Sequence, residues 1–199
     1  MIESFSSVIK GVLKEKTAVG RRKLSFNLYK VVIAGEGGVG KTTLTQRFLS
    51  GEFIGDTLMT LGVAFYVHKV KIEDEEITLQ IWDLGGQEQF RSMGVFDRYI
   101  KGAKGAILAF DLTRMRTLLS LSEWQELVSK NVDNIPVVLV GTKSDLENEI
   151  QVTENMITEK KEELKVKNYF ETSSLTGKNV ENVFNEIAYE IRRENIKTS

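Results

Sequence analysis

Between an apolar run, Leu28 to Ala34, and a helix-period segment, Lys41 to Ser50, lies Gly35-Glu36-Gly37-Gly38-Val39-Gly40-Lys41-Thr42. The octet fits G-x-x-x-x-G-K-[ST] in the strand-to-helix context that this motif needs. Its glycines let the backbone wrap a phosphate chain with N–H groups turned inward, and a helix beginning near Lys41 adds the partial positive charge of its N-terminus. Lys41 is expected to neutralise the β- and γ-phosphates of a bound nucleotide. Thr42 is expected to offer its hydroxyl to Mg²⁺, a cation that takes oxygen ligands in near-octahedral geometry. An ordinary glycine-rich turn has no use for the Gly-Lys-Thr ending. The motif by itself names a P-loop NTPase, equally an ATPase or a kinase, so nucleotide identity rests on residues elsewhere.

The rest of the chain supplies the frame this loop needs. Apolar runs alternate with helix-period segments: Leu28 to Ala34 then Lys41 to Ser50, Gly105 to Leu112 then Leu118 to Lys130, Val137 to Gly141 then Val152 to Val166. That alternation predicts parallel βαβ units. Two further strands, Val63 to Ile72 and Ile77 to Asp83, flank the acidic stretch Glu73-Asp74-Glu75-Glu76, short enough for a hairpin. Asn168 to Thr172 reads as a sixth strand. Val180 to Arg192 reads as a last helix, with Val180, Val183, Phe184, Ile187 and Ile191 at helical spacing. The expected class is α/β: a six-stranded, mostly parallel sheet with one antiparallel edge strand and helices on both faces. The expected domain spans residues 27–194, with an N-terminal extension, 1–26, and a short tail, 195–199.

Composition removes several function classes. The formal charge of −1 offers no global attraction to nucleic acid, so no nucleic-acid partner is expected. With no cysteine and one histidine, disulfides, cysteine-ligated zinc and a His-rich metal site are excluded. That histidine, His68, has no partner motif and is assigned no function. Apolar runs such as Val137 to Val140 are strand-length, far below the roughly 20 residues that span a bilayer. Without a signal-peptide hydrophobic region, a cytoplasmic address is the default expectation.

Four further segments narrow the reading: Thr60-Leu61-Gly62-Val63-Ala64-Phe65, Trp82-Asp83-Leu84-Gly85-Gly86-Gln87-Glu88, Thr142-Lys143-Ser144-Asp145 and Glu171-Thr172-Ser173-Ser174. In order and spacing, together with the phosphate loop, they resemble the motifs of Ras-superfamily small GTPases over roughly residues 27 to 194. The Thr-x-Gly-x-x-Phe element, Trp82 and the run ending at Arg91 look Rab-like. Gly85-Gly86-Gln87 looks like Arf and heterotrimeric α-subunit proteins, and Thr142 is Rac-like where most of the family has asparagine.

The resemblance implies a G domain that cleaves GTP to GDP with Mg²⁺. Metal contacts fall to Thr42, Thr60 and, through a water, Asp83; phosphate contacts to Gly35, Gly37, Gly38, Val39, Gly40, Lys41, Thr42, Thr43 and the Gly86 N–H. Gln87 would orient the attacking water, with Lys41 and Thr60 completing the catalytic set. Such chemistry needs positioning and charge neutralisation more than a strong base. Guanine would be held by Thr142, Lys143, Asp145, Ser173, Ser174 and Leu175, with Phe53 at the base edge. A carboxylate at Asp145 accepts the two N–H bonds that guanine, unlike adenine, can donate. Taken alone, Asp145 reads first as a cap for the following turn; its place after the strand Val137 to Val140 and beside Lys143 favours guanine.

Departures from the family pattern carry expectations of their own. Leu175 replaces a usual lysine and Thr57 a frequent tyrosine, which loosens base packing and phosphate cover. The stretch between Phe90 and Tyr99 is two residues longer than in Rab proteins. No arginine lies between Gly51 and Thr60, so slow turnover that needs an activating partner is expected, as is an exchange partner. The other reading is a nucleotide-bound scaffold with negligible hydrolysis.

Phe65, Trp82 and Tyr99 match the aromatic triad through which Rab proteins meet effectors, core packing being the alternative. In the N-terminal extension Ile2, Phe5, Val8, Ile9, Val12 and Leu13 recur at helical spacing. Through residue 23, six cations face two carboxylates, a net +4 that leaves −5 for the remainder. Such a segment suits an anionic membrane surface or a second packing face. With Ile at residue 2 and no cysteine, any membrane contact is expected to be peptide-borne.

Overall fold

A computed structural model describes residues 27–55, 57–87 and 94–198 of the chain. Among the described residues thirteen elements follow one another: β1 (Leu28–Ala34), α1 (Lys41–Ser50), β2 (Val63–Ile72), β3 (Glu75–Leu84), α2 (Asp97–Ile100), β4 (Gly105–Asp111), α3 (Met115–Leu119), α4 (Leu121–Asn131), β5 (Val137–Thr142), a 3₁₀ turn (Glu147–Glu149), α5 (Glu154–Leu164), β6 (Asn168–Glu171) and α6 (Val180–Thr198). The strands form one sheet in the order β2-β3-β1-β4-β5-β6, with β2 antiparallel to β3 and every other pair parallel. The six-stranded mixed sheet with an antiparallel edge is as the sequence predicts. The amphipathic N-terminal segment, 1–26, lies outside the described residues, as does Arg91.

Alternation along β1 divides the core. Val31 and Ile33 point to one face, where α1 and α6 cover them through Leu44, Val183, Phe184 and Ile187. Val32 and Ala34 point to the other, under Ile100, Leu118, Trp124 and Ile157 from the helices after β3. Strands buried on both faces read as continuous apolar runs, which is why β1, β4 and β5 are legible without alternation. The lone histidine, His68, lies on β2 against the Phe48 ring, with centroids 4.7 Å apart.

Beyond shifts of one or two residues at several ends, three boundaries differ from expectation. The helix expected from Leu118 to Lys130 is two, α3 and α4, meeting at Ser120, where the Ser120 hydroxyl donates to Thr117 O at 3.1 Å. The acidic hairpin turn shrinks to Glu73-Asp74, with Glu73 at φ +54, because Glu75 and Glu76 pair with β2. Finally, α6 runs past Arg192 to Thr198; the Arg193–Glu190 and Lys197–Glu194 pairs, each three residues apart, extend its exposed face.

Candidate functional site

Segments that follow the carboxyl ends of β1, β3, β4, β5 and β6 gather along one edge of the sheet, where open α/β folds place their ligands. Gly35 begins the turn after β1 at φ +145, and a Cβ there would fall 2.1 Å from Ala109 O, so only glycine lets the loop cross β4. Gly37, Gly38 and the fully buried Val39 carry the chain to Gly40, whose carbonyl accepts the Leu44 N–H at 2.8 Å and starts α1. Lys41 folds back over the loop, its Nζ donating to Gly35 O at 2.7 Å and Glu36 O at 2.8 Å. Burial pushes this ammonium down to about 8, against the Asp83 and Glu36 carboxylates and with help from the nearby Arg114 charge.

Three oxygens from distant segments meet beside it. The Thr42 hydroxyl, on the first turn of α1, lies 2.7 Å from that of Thr60 and donates to Asp83 Oδ2; Thr60 donates to the same oxygen at 3.4 Å. Burial raises the Asp83 pKa, opposed by the Thr42 hydrogen bond, the Lys41 charge and the Thr60 hydrogen bond. Its Oδ1 is buried without a partner. Neighbouring Thr43 and Thr57 share a second hydroxyl contact at 3.0 Å, so the loop is hooked to α1 at two points. Around Thr60 the loop exposes its apolar side chains, with Leu58 90% and Leu61 76% accessible.

Behind β3 the backbone closes tightly on the phosphate loop: a Cβ on Gly86 would lie 2.2 Å from Glu36 C and Gly37 N. The Gln87 amide nitrogen sits 2.6 Å from Met59 Sδ, drawn toward the loop that carries Thr60.

At the other end, β5 and β6 deliver the expected base-recognition residues side by side. The Ser144 N–H donates to Thr172 O at 3.0 Å, stitching the two loops together. Thr142, 3% accessible, donates its hydroxyl to Val39 O at 2.5 Å and Phe110 O at 2.9 Å. The Asp145 carboxylate accepts no hydrogen bond from another described residue, and the 3₁₀ turn after it has no side-chain cap, so the capping explanation fails. Ser173 Oγ accepts from the Thr176 N–H at 3.1 Å, shaping the turn that carries Ser174 and the half-exposed Leu175. Phe53, 44% accessible, stands on the loop after α1.

Two residues here, Asp111 and its partner Arg114, escape a sequence reading. Asp111, at the end of β4, is fully buried and accepts from Lys143 Nζ at 2.6 Å, Arg114 Nε at 2.9 Å and, through Oδ1, the Thr113 N–H and hydroxyl at 2.9 and 2.7 Å. Burial works against its charge, but the Lys143, Thr113 and Arg114 bonds outweigh it and hold the carboxyl below its ordinary range. A carboxylate closing an apolar strand is a visible signal, since burial demands partners. Which partners it finds depends on the folded loops.

Away from this edge, Phe65, Trp82 and Tyr99 form a ladder across β2, β3 and α2, with ring centroids 5.1 and 5.9 Å apart. Lys30 Nζ stands 4.3 Å from the Trp82 ring centre and Arg98 caps the Tyr99 ring at 4.9 Å. Trp82 is half-buried and Phe65 37% accessible, so the triad belongs both to the core margin and to the surface.

Fold and site together define a P-loop nucleotide-binding α/β protein of the G-domain type. Known sequences agree: the Ras family profile matches residues 30–193. The chain is 37% identical over 176 residues to the Ras-related protein Rab-11A of Dictyostelium discoideum, covering 88% of this chain and 81% of that protein. To the Ras-related protein RABA1c of Arabidopsis thaliana it is 40% identical over 168 residues, 82% of this chain and 75% of the relative. The chain belongs to the Ras family and is a Rab-like small GTPase, a GTP hydrolase. Among the described residues, no helix is long and apolar enough to cross a membrane.

Proposed function

We propose that the chain is a Mg²⁺-dependent, slowly hydrolysing switch whose loops respond to the γ-phosphate of GTP. The carrying observation is the meeting of Thr42, Thr60 and Asp83, from α1, the following loop and β3, beside the phosphate loop. Ligands about 2.1 Å from Mg²⁺ in an octahedron stand roughly 3.0 Å from each other along its edges. The 2.7 Å contact between the Thr42 and Thr60 hydroxyls is close to such an edge. The unpartnered Asp83 Oδ1 offers the acceptor that a water would need. Bound there, Mg²⁺ supplies charge neutralisation to the phosphates.

In this reading the backbone from Gly35 to Gly40 with Thr43 cradles the phosphates, and Lys41 exchanges its two carbonyl partners for phosphate oxygens. Gly86 presents its N–H, and Gln87 leaves Met59 to orient water. Asp145 takes the guanine edge, Lys143 lies along the base, Thr142 and Ser173 brace the two loops, and Phe53, Ser174 and Leu175 close round the ring. Loss of the γ-phosphate frees Thr60, and its loop opens. Effectors are proposed to read that loop with Phe65, Trp82 and Tyr99, where exposed apolar side chains and aromatic rings adjoin. Activating and exchange partners complete the cycle. The basic segment before residue 27 is proposed as a peripheral membrane contact, tested by co-sedimentation of the full chain and of a chain starting at Lys23 with anionic liposomes.

Nucleotide extraction followed by Mg²⁺-dependent single-turnover cleavage of GTP and ATP, alongside Gln87→Leu, tests the core of this function. Bound GDP or GTP with slow GTP cleavage, lost in the variant, is expected. Guanine nucleotide held but never cleaved indicates a scaffold, and preference for ATP overturns the role of Asp145.

A further inference from the structure

Arg114 stands at the turn between β4 and α3 and reaches the phosphate loop from outside. Its Nη2 donates to Gly37 O at 3.3 Å while its Nε donates to Asp111 Oδ2 at 2.9 Å. The same Nη2 is 3.8 Å from where a Cβ on Gly38 would lie. Asp111 Oδ2 meanwhile holds Lys143 Nζ at 2.6 Å, the lysine that opens the base loop after β5. One buried carboxylate thus grips a cation from each end of the site.

We propose that Arg114 is a positioning residue for nucleotide retention: a two-pronged bridge that fixes Gly37 against Asp111 and, through it, ties the phosphate loop to the Lys143 loop. This rests on the guanine-nucleotide function argued above. The chemistry calls for arginine. A guanidinium is a planar fork whose separate N–H groups serve a carboxylate and a carbonyl at once, whereas an ammonium is a point charge on a flexible stem. The next arginine gives the contrast: Arg116 is 76% accessible and approaches Glu36 Oε2 only to 3.9 Å, a surface pair of little weight.

The test loads the full chain with fluorescent GDP, chases with excess unlabelled GDP, and compares wild type with Arg114→Gln, Arg114→Lys and Arg116→Gln. Unfolding midpoints are read in parallel on the chain stripped of nucleotide, because bound GDP would pass any change in its affinity on to the midpoint by mass action. Release about tenfold faster is expected in both Arg114 variants, the effect of one lost charge-assisted bond. Arg116→Gln should stay within about twofold of wild type, and the midpoints should hold, since Asp111 keeps Lys143 and Thr113. Arg114→Lys releasing at the wild-type rate would overturn the bridge, because charge alone would then suffice. Wild-type release in Arg114→Gln, or faster release matched by a falling midpoint, overturns it too. If the wild type itself fails to hold labelled GDP, the guanine-nucleotide function falls and this inference with it, an outcome distinct from variants and wild type releasing alike.

Discussion

The hydroxyl of Thr142, at the end of β5, donates to the carbonyl of Val39 at 2.5 Å, joining β5 to the glycine-rich loop 103 residues earlier in the chain. The same oxygen reaches Phe110 O, so one side chain braces β4, β5 and the loop. Thr142→Val keeps the shape and removes the donor. It should cost about 1 kcal/mol of stability and speed GDP release, read by thermal melting and fluorescent-nucleotide chase. Thr142→Asn keeps a donor and should retain guanine binding while changing the release rate. If both variants melt and release as wild type does, the brace is idle.

The Thr43–Thr57 contact at 3.0 Å leads to a second expectation. Both side chains are half-buried, and Thr57 has no aromatic ring to cover the phosphates, so its hydroxyl is the hook that holds this end of the loop. Thr57→Val should leave the unfolding midpoint within about 0.5 kcal/mol of wild type, as for a surface substitution. Single-turnover GTP cleavage should slow severalfold because Thr60 is less firmly placed. An unchanged cleavage rate would show that Thr60 is held by its Thr42 and Asp83 contacts alone.

Much of this was readable from the chain. Apolar β1, β4 and β5 declare a buried parallel sheet, and Gly35 to Thr42 declares the glycine-rich strand-to-helix loop, because both signals are local. The hydroxyl meeting of Thr42, Thr60 and Asp83 follows from motif order only through family likeness; the distances come from the fold. The Asp111–Arg114–Gly37 bridge was not legible, since Arg114 sits in an unremarkable loop and its acceptor is a backbone carbonyl 77 residues away. Ser120 likewise hides the break between α3 and α4, because its residue type suits a helix interior or an end.

Gly86 offers a steric test of how tightly the β3 loop closes on the phosphate cradle. A Cβ there meets the Glu36–Gly37 peptide at 2.2 Å, and backbone cannot swing aside as a side chain can. Gly86→Ala should force the two loops apart at a cost of about 1–3 kcal/mol, weakening GTP binding by roughly tenfold to hundredfold. GDP, which lacks the γ-phosphate that the Gly86 N–H is proposed to meet, should lose less. Equal losses for both nucleotides would place the damage in the loop as a whole and not at the γ-phosphate.

Across the molecule, Arg192 of α6 clasps the β2–β3 hairpin, its Nε donating to Glu75 at 2.9 Å and its Nη1 to Glu73 at 2.8 Å. The Arg192 hydrogen bond is the main cause that holds the Glu75 carboxyl below the ordinary glutamate range. A depressed carboxylate pKa contributes stability that is fully present above the unfolded value and is lost as pH falls through the folded one. Arg192→Gln should therefore melt below wild type at pH 7. The difference should hold down to about pH 4.5 and close as the pH falls further, while the Glu75 carboxylate takes up its proton. Should the gap persist undiminished below that range, the clasp acts through packing of the arginine stem against the hairpin and not through its charge.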